Sequence, residues 1–168
     1  MGLPLEKEDR MADLTDDKQI YLSAELACRL GAIDIGSNSV RQIVADVSPT
    51  GQIRVVDEMK AMPRLGEGLE ATGALSPTAI DAAVTAVQRM VTLADQLGAI
   101  RIEIVATSAV RDAANSTDFT GQVLTRTGRR VRILSGEEEA LLCYRSALAH
   151  FDLGAGRTVV MDIGGGSL

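Results

Sequence analysis

The most regular pattern of apolar and polar residues in the chain predicts a long amphipathic helix over residues 77–97. Ser76 and Pro77 suit the N-cap and the first helical position, and Gly98 suits a left-handed cap after the last turn. Apolar residues recur at intervals of three and four, the spacing of one side of an α-helix. They are Ile80, Ala83, Val84, Val87, Val91, Ala94 and Leu97. We therefore expect this helix to bury one face.

Shorter apolar and alternating runs on both sides of this helix predict strands. Three strands joined by short turns precede it and predict an antiparallel meander. The strand after it completes a strand–helix–strand unit, which implies a crossover and parallel pairing. The five predicted strands are Ala32–Ile35, Val40–Val47, Ile53–Lys60, Ile100–Thr107 and Val131–Leu134. Two further helices are predicted over Ser108–Thr127 and Gly136–His150, and a new strand over Thr158–Ile163. The order β-β-β-α-β-α-β-α predicts an α/β fold.

The chain divides into three predicted segments. Residues 1–30 are charged at their start and form an N-terminal extension, in which the spacing of residues 19–30 allows a short helix. Residues 31–151 hold one lobe. Within that lobe we interpret Arg64–Gly73 as a loop that either covers a cleft or only connects two elements. Residues 158–168 begin a second lobe with its first strand and a glycine-rich loop.

Composition argues against several classes of function. The net charge is −6 and aromatic residues make up 2% of the chain, which disfavours a protein that binds duplex nucleic acid. No apolar run reaches the length of about 18 residues that predicts a transmembrane helix. Cys28 and Cys143 are far apart, which favours free thiols in a reduced, cytoplasmic setting. His150 is the only histidine, which disfavours a histidine-rich metal site and a Ser–His–Asp triad.

A polar turn between the first two strands suits a phosphate. Residues 32–41 read A-I-D-I-G-S-N-S-V-R, so that Asp34 ends an apolar run, and Arg41 begins the next strand. Backbone N–H groups in a tight turn bind anions, Arg matches phosphate oxygens, and an Asp can hold a divalent cation. Taken alone, such a turn is also an ordinary hairpin connection.

A second copy of this pattern favours a phosphate-binding role for the turn over an ordinary hairpin connection. Residues 159–167 read V-V-M-D-I-G-G-G-S, which again runs from apolar residues through Asp-Ile-Gly to small residues. Three glycines after a strand allow a backbone to approach an oxyanion closely. The two copies predict two related lobes that each offer a phosphate loop to a shared cleft.

Two further polar groups follow predicted strands. Arg111 lies in the first turn of a helix, where a cation gains nothing from the helix dipole. It therefore either serves an anionic ligand or is an ordinary exposed side chain. Ser135 and Glu138 have the spacing of a capping box, which accounts for Glu138 but not for Glu139. Glu139 is then either one more first-turn acid or a general base that activates water.

Four blocks together resemble the exopolyphosphatase and guanosine pentaphosphate phosphatase (Ppx/GppA) family, within the actin-like ATPase and sugar-kinase superfamily. The blocks are A-I-D-I-G-S-N-S-V-R (32–41), V-A-T-S-A-V-R-D-A-A-N (105–115), I-L-S-G-E-E-E-A (133–140) and V-V-M-D-I-G-G-G-S (159–167). The resemblance covers about residues 31–167 and implies a ribonuclease-H-like lobe. It also implies hydrolysis of a terminal phosphoanhydride, in inorganic polyphosphate or guanosine pentaphosphate, with Mg²⁺.

The resemblance implies a role for each matching residue. Glu139 matches the glutamate that activates water, and Asp162 matches the acid that helps to place metal and water. Asp34 and Asp162 are the implied metal ligands. The implied phosphate-binding residues are Ser37, Asn38, Ser39, Arg41, Arg111, Gly164, Gly165, Gly166 and Ser167.

The chain also departs from the family pattern. Family members usually continue G-G-G-S-T-E, whereas Leu168 follows Ser167 here and ends the sequence. We interpret the chain as the N-terminal part of such an enzyme, expect little activity from it alone, and consider a homodimer for the full-length form. Two alternatives stay open. One is an ATP-dependent kinase or ATPase of the same superfamily, which usually carries D-x-G-T where Ser37 stands. The other is a non-catalytic, phosphate-binding regulatory domain.

Overall fold

A computed structural model describes residues 27–152, 156–162 and 164 of the protein, and its centre is one five-stranded sheet. The strands are β1 (Cys28–Ile35), β2 (Val40–Val47), β3 (Ile53–Ala61), β4 (Arg101–Ala106) and β5 (Arg132–Ile133). The helices are α1 (Leu69–Thr72), α2 (Pro77–Gln96), α3 (Ser108–Asp112), α4 (Ser116–Thr127) and α5 (Gly136–His150). No helix among these described residues is long and apolar enough to cross a membrane.

The sheet order is β3-β2-β1-β4-β5. Strands β1, β2 and β3 pair in antiparallel fashion, and β4 pairs parallel to both β1 and β5. This arrangement confirms the predicted α/β fold, with its meander followed by parallel crossovers. Because β1, β4 and β5 run in one direction, their carboxyl ends lie at the same edge of the sheet. Ligands gather at that edge in α/β proteins.

Helix α2 covers one face of the sheet, as its pattern predicted. It contacts β1, β2 and β3 and also packs against α4. Ser76 is its N-cap, and the Ser76 hydroxyl accepts a hydrogen bond from the Ala79 N–H at 3.2 Å. Gly98 has a φ of 80°, the left-handed conformation expected after the last turn. The core that α2 closes includes Ile33, Ile35, Val40, Val44, Ala83, Val84, Val87, Met90, Ile104 and Phe119.

Strand β1 starts earlier than predicted. Cys28, Arg29 and Leu30 belong to this strand and not to the short helix predicted over residues 19–30, whose first part lies outside the described residues. These three residues pair with the far end of β2, and the Arg29 guanidinium binds the Asp46 carboxylate through two hydrogen bonds of 2.8 and 3.1 Å. Pairing with a distant strand overrides the local helical spacing.

The single helix predicted over residues 108–127 is also wrong, because it is divided into α3 and α4. Ala113 has an extended backbone that ends α3. Asn115 follows, and its side chain accepts a hydrogen bond from the Leu75 N–H at 2.9 Å and donates one to the Leu75 carbonyl at 3.0 Å. The Ala114 N–H donates to the Gly73 carbonyl. The bond to Gly73 uses the Ala114 N–H that a continuous helix would have used, and the Asn115 side chain fixes the break against the segment before α2.

The last described residues do not form the predicted strand. Residues 156–162 adopt neither helix nor strand, and Val159 and Met161 are 83% and 75% exposed. A strand requires a neighbour to complete its hydrogen-bond ladder, and the described sheet ends at β5. Ile163 lies outside the described residues, and the predicted division into extension, lobe and second lobe stays a prediction.

Candidate functional site

The residues that follow β1, β4 and β5 lie side by side. The Thr107 N–H donates to the Ile35 carbonyl at 3.1 Å, which brings the end of β4 beside the end of β1. The Leu134 N–H donates to the Ala106 carbonyl at 2.9 Å, which does the same for β5 and β4. Three of the four sequence blocks singled out above therefore meet at one edge of the sheet.

The turn over residues 36–39 is closed by a hydrogen bond from the Gly36 N–H to the Ser39 carbonyl at 3.0 Å. The Ser37 and Ser108 hydroxyls lie 3.1 Å apart, and Ser108 is buried, so the turn is tied to the start of α3. Within the described part of the chain, the N–H groups of Ser37 and Asn38 donate to no acceptor. Free N–H groups in a tight turn are what an anion requires.

A second loop supports this turn from outside. The Gly66 N–H donates to the Ser37 carbonyl at 2.8 Å, and the Arg64 N–H donates to the Asn38 carbonyl at 3.1 Å. Leu65 between them is fully buried. The predicted loop Arg64–Gly73 thus contacts the turn with its first residues, and its second half forms the short helix α1, which the sequence analysis missed.

Arg64 has an unusual backbone conformation. Its φ of 52° is left-handed, and it is the only described residue other than glycine with a positive φ. This conformation costs a residue with a Cβ atom about 1–2 kcal/mol. It is held because the residues on both sides are fixed by the buried Leu65 and by hydrogen bonds to the turn. Strain that the surroundings enforce is often found at binding sites.

Helix α5 presents Glu139 to Arg111. The Ser135 hydroxyl accepts from the Glu138 N–H, and the Glu138 carboxylate accepts from the Ser135 N–H, which is the predicted capping box. The bond from the Ser135 N–H to the Glu138 carboxylate is the largest cause that lowers the pKa of Glu138, and the nearby Arg132 lowers it further. Glu139 is outside the capping box, and its Oε2 accepts a hydrogen bond of 3.1 Å from Arg111 Nη1. Both side chains are about 30% exposed, so this pair lies at the surface of the site.

Arg111 is held in place by more than its partner carboxylate. The same Nη1 donates to the Leu134 carbonyl at 2.9 Å, and the Arg111 Nε lies 3.5 Å from the Asp112 carboxylate. The predicted phosphate-binding arginine and the predicted general base are therefore in direct contact. A phosphate that enters the site would compete with Glu139 for this guanidinium.

Asp34 lies at the carboxyl end of β1, directly opposite Arg41 of β2. Although its side chain is open to solvent, its pKa is raised. The largest cause is partial loss of hydration, followed by repulsion from Glu139; Asp162 adds to the repulsion, and Arg41 opposes it. Two other predicted site carboxylates therefore act on Asp34. Within the described residues, however, no group of three carboxylate, cysteine or histidine side chains is close enough to form a metal site.

The structure describes only some of the remaining predicted site residues. Asp162 and Gly164 are exposed, while Gly165, Gly166 and Ser167 lie outside the described residues. The second phosphate loop therefore stays a prediction. Of the first loop, Asn38 is exposed and the Ser39 carbonyl closes the turn.

Sequence reasoning did not single out Ser108, Arg64 or Gly66 as members of this site. Ser108 is inside the quoted block V-A-T-S-A-V-R and directly follows a strand end, so its position was a usable signal. No local signal ties Arg64 and Gly66 to the turn, because their contacts join segments that are about 28 residues apart in the chain.

Comparison with known proteins identifies the family. A model of the Ppx/GppA phosphatase family matches residues 43–168. The chain belongs to the Ppx/GppA phosphatase family. The resemblance noted in its four sequence blocks is therefore confirmed, and so is the ribonuclease-H-like lobe of the actin-like ATPase type that it implied.

Named relatives and solved structures agree with this assignment. The chain is 36% identical over 140 residues to exopolyphosphatase 1 of Mycobacterium leprae and 37% identical over 147 residues to exopolyphosphatase 2 of Mycobacterium tuberculosis. Each alignment covers 83% of the chain but only 41% and 46% of the relatives. The crystal structure of the Aquifex aeolicus family member matches 72% of this chain and 39% of its own, with a TM-score of 0.68 and 29% identity.

Proposed function

We propose that the protein is a phosphoanhydride hydrolase that releases terminal phosphate from inorganic polyphosphate. The single observation that carries the proposal is the meeting of Arg111 and Glu139 beside a turn with free N–H groups. A phosphate ligand and a base for water are then available within one small region. Family membership and exopolyphosphatase relatives support the same activity. Guanosine pentaphosphate is the second substrate to be tested.

Each residue has a proposed part in the reaction. The terminal phosphate is bound by the N–H groups of Ser37 and Asn38 and by the guanidinium of Arg41. Arg111 binds the same phosphate and releases Glu139 as it does so. Glu139 then takes a proton from water while the water oxygen attacks phosphorus. The bond from phosphorus to the bridging oxygen breaks, so that inorganic phosphate and a chain shortened by one phosphate are formed.

Mg²⁺ is the proposed cofactor. Asp34 and Asp162 are hard oxygen ligands. Partial loss of hydration and then repulsion from Glu139 and Asp162 raise the pKa of Asp34, and a cation would relieve that repulsion. When bound there, the cation would neutralise charge on the phosphate oxygens. We further propose a cytoplasmic location and, for the full-length form, a homodimer.

One observation favours a second candidate function. The second candidate is a non-catalytic regulatory domain that binds phosphate. In such a domain Glu139 would only neutralise Arg111 while no phosphate is bound, and the ion pair between them is sufficient for that role. The ATP-dependent kinase is the third candidate, because the turn and the carboxylates are compatible with nucleotide phosphates as well.

Phosphate release tests these candidates. We would assay the 168-residue chain and a chimaera in which an exopolyphosphatase relative supplies the C-terminal part, with polyphosphate, guanosine pentaphosphate and ATP. Glu139→Gln should lower turnover by roughly 10²–10⁴-fold, the usual contribution of a general base. Glu137→Gln is the matched control, since it removes the same charge from the same exposed helix turn and should be neutral.

The outcomes separate the candidates. Turnover of polyphosphate that Glu139→Gln abolishes supports the hydrolase, and the activity of the 168-residue chain decides whether it is inactive alone. If both variants release phosphate equally, Glu139 is not the base. Binding of phosphate without turnover by any form would establish the regulatory domain, and transfer of the ATP γ-phosphate to an acceptor would establish the kinase.

A further inference from the structure

Two cations lie directly opposite each other on the open face of the sheet. Arg41 of β2 is the Cα partner of Lys60 of β3, and residues opposite each other in an antiparallel pair project from the same face. Both side chains are exposed, and neither forms an ion pair or hydrogen bond with any described residue. Like charges in this arrangement repel each other. An anion that bridges them would remove that repulsion.

The row of charges continues from the candidate site. Asp34, Arg41 and Lys60 occupy one line across β1, β2 and β3. Neighbouring strands are about 4.8 Å apart, so the row spans roughly 10 Å from the site to its outer end. Glu58 lies two residues from Lys60 on the same face of β3, so the positive charge does not continue along this strand beyond Lys60.

Arg64 provides a further positive charge beside the same turn. Its backbone N–H donates to the Asn38 carbonyl, which fixes its Cα next to the predicted phosphate turn. Its side chain is exposed and has no hydrogen bond or ion pair within the described residues, including with its neighbour Glu67. A strained, left-handed backbone therefore presents a cation that serves no structural contact.

We propose that Lys60 and Arg64, here called the outer strip, bind the body of a long inorganic polyphosphate chain behind its terminal phosphate. This inference rests on the proposed function and extends it to substrate length. The terminal phosphate is bound by the turn and Arg41, and the following phosphates pass over the outer strip. A single inorganic phosphate fills only the turn, whereas a chain of several phosphates extends over the outer strip. The outer strip therefore favours polyphosphate over the free ion.

Equilibrium binding by the 168-residue chain tests the outer strip without requiring catalysis. The probes are long-chain inorganic polyphosphate and inorganic phosphate. The double variant Lys60→Gln, Arg64→Gln should bind the long chain about fivefold more weakly, in line with the loss of two exposed ion pairs. The slope of log affinity against log salt should become less steep by about 1.4, roughly 0.7 for each lost charge, because fewer counterions are released. Binding of inorganic phosphate should change little.

Two controls distinguish binding at the outer strip from nonspecific electrostatic attraction to the protein surface. The double variant Arg89→Gln, Arg130→Gln removes the same charge from exposed residues on the helix-covered side and near the opposite end of β5. It should bind both probes as the wild type does. Arg64→Lys keeps the charge and should retain long-chain binding, whereas a merely structural role of Arg64 would not be rescued by charge.

The results also distinguish this inference from the proposed function. Equal losses in both double variants, an equal loss for inorganic phosphate, or no loss at all would overturn the outer strip, as would a wild-type chain that fails to bind long polyphosphate. The chimaera reports on hydrolysis separately. Turnover with an unaffected outer-strip variant refutes only the inference, while length-selective binding without turnover refutes only the proposed reaction.

Discussion

Gly66→Ala is the sharpest test of how the second loop supports the phosphate turn. A Cβ atom at Gly66 would lie 3.0 Å from Ser37 Cβ and 3.4 Å from the Ser37 carbonyl oxygen. Ser37 has little freedom to withdraw. Its hydroxyl is tied to the buried Ser108, and its carbonyl accepts the 2.8 Å hydrogen bond from Gly66 itself. The loop must therefore move away from the turn.

The size of the effect follows from two opposing contributions. Forcing one methyl group into a tight contact costs roughly 1–3 kcal/mol. Replacing glycine by alanine also restricts the unfolded chain, which stabilises by about 0.4–1 kcal/mol where the backbone is compatible. We expect Gly66→Ala to lower the free energy of unfolding by about 1–2 kcal/mol, the difference between these two effects. Displacing Ser37 and Asn38 should also weaken binding of tripolyphosphate.

Urea unfolding followed by far-ultraviolet circular dichroism measures this change. Gly121→Ala is the matched control, because Gly121 lies inside α4 and no atom is within 4 Å of its added Cβ. That control should stabilise the protein by about 0.5–1 kcal/mol, since alanine is the better helix former. If Gly66→Ala is as stable as the wild type, or is stabilised like Gly121→Ala, the second loop does not press against the turn as the distances indicate.

Two further predictions concern carboxylates whose pKa values move in opposite directions. Asp46 is bound by Arg29, which lowers the pKa of its carboxyl, so its stabilisation is present above the unfolded value of about 3.9 and is lost as the pH falls through the lowered pKa. Asp46→Asn should therefore lower the melting temperature at neutral pH, with a difference that closes in acid; a pH-independent difference would contradict this. The pKa of Asp34 is raised, so its contribution to stability is greatest below about 3.9 and falls as the pH rises through the raised pKa. Asp34→Asn should raise the melting temperature at neutral pH and abolish phosphate release. A variant that melts lower at neutral pH would refute the destabilisation assigned to lost hydration and to repulsion from Glu139.

Local features of the fold were predictable from the sequence because short-range physics decides them. The start, apolar face and C-terminal cap of α2 depend on residues within a few positions of one another. The capping box of Ser135 and Glu138 depends on a spacing of three. The antiparallel meander and the parallel pairing after it followed from the alternation of strands and helices, since a crossover through a helix implies parallel strands.

The misplaced elements were those that distant contacts decide. Leu30 has apolar neighbours at helical spacing, yet pairing with β2 makes it part of a strand. The break between α3 and α4 depends on Asn115, which binds the backbone of Leu75, 40 residues earlier. Sequence periodicity carries no record of such partners.

The sequence by itself determined which chemical groups are present and which strand ends would carry them. The turn with Ser37 and the carboxylates Asp34 and Glu139 were singled out as candidates from residue type and position, and the family resemblance then favoured Glu139 as the base. Only the tertiary structure decided that Arg111 and Glu139 touch and that Arg64 is strained against the turn. The physical reason is that these contacts join side chains and backbone groups from segments far apart in the chain. Their distances are set by the packing of the whole sheet and not by any local preference.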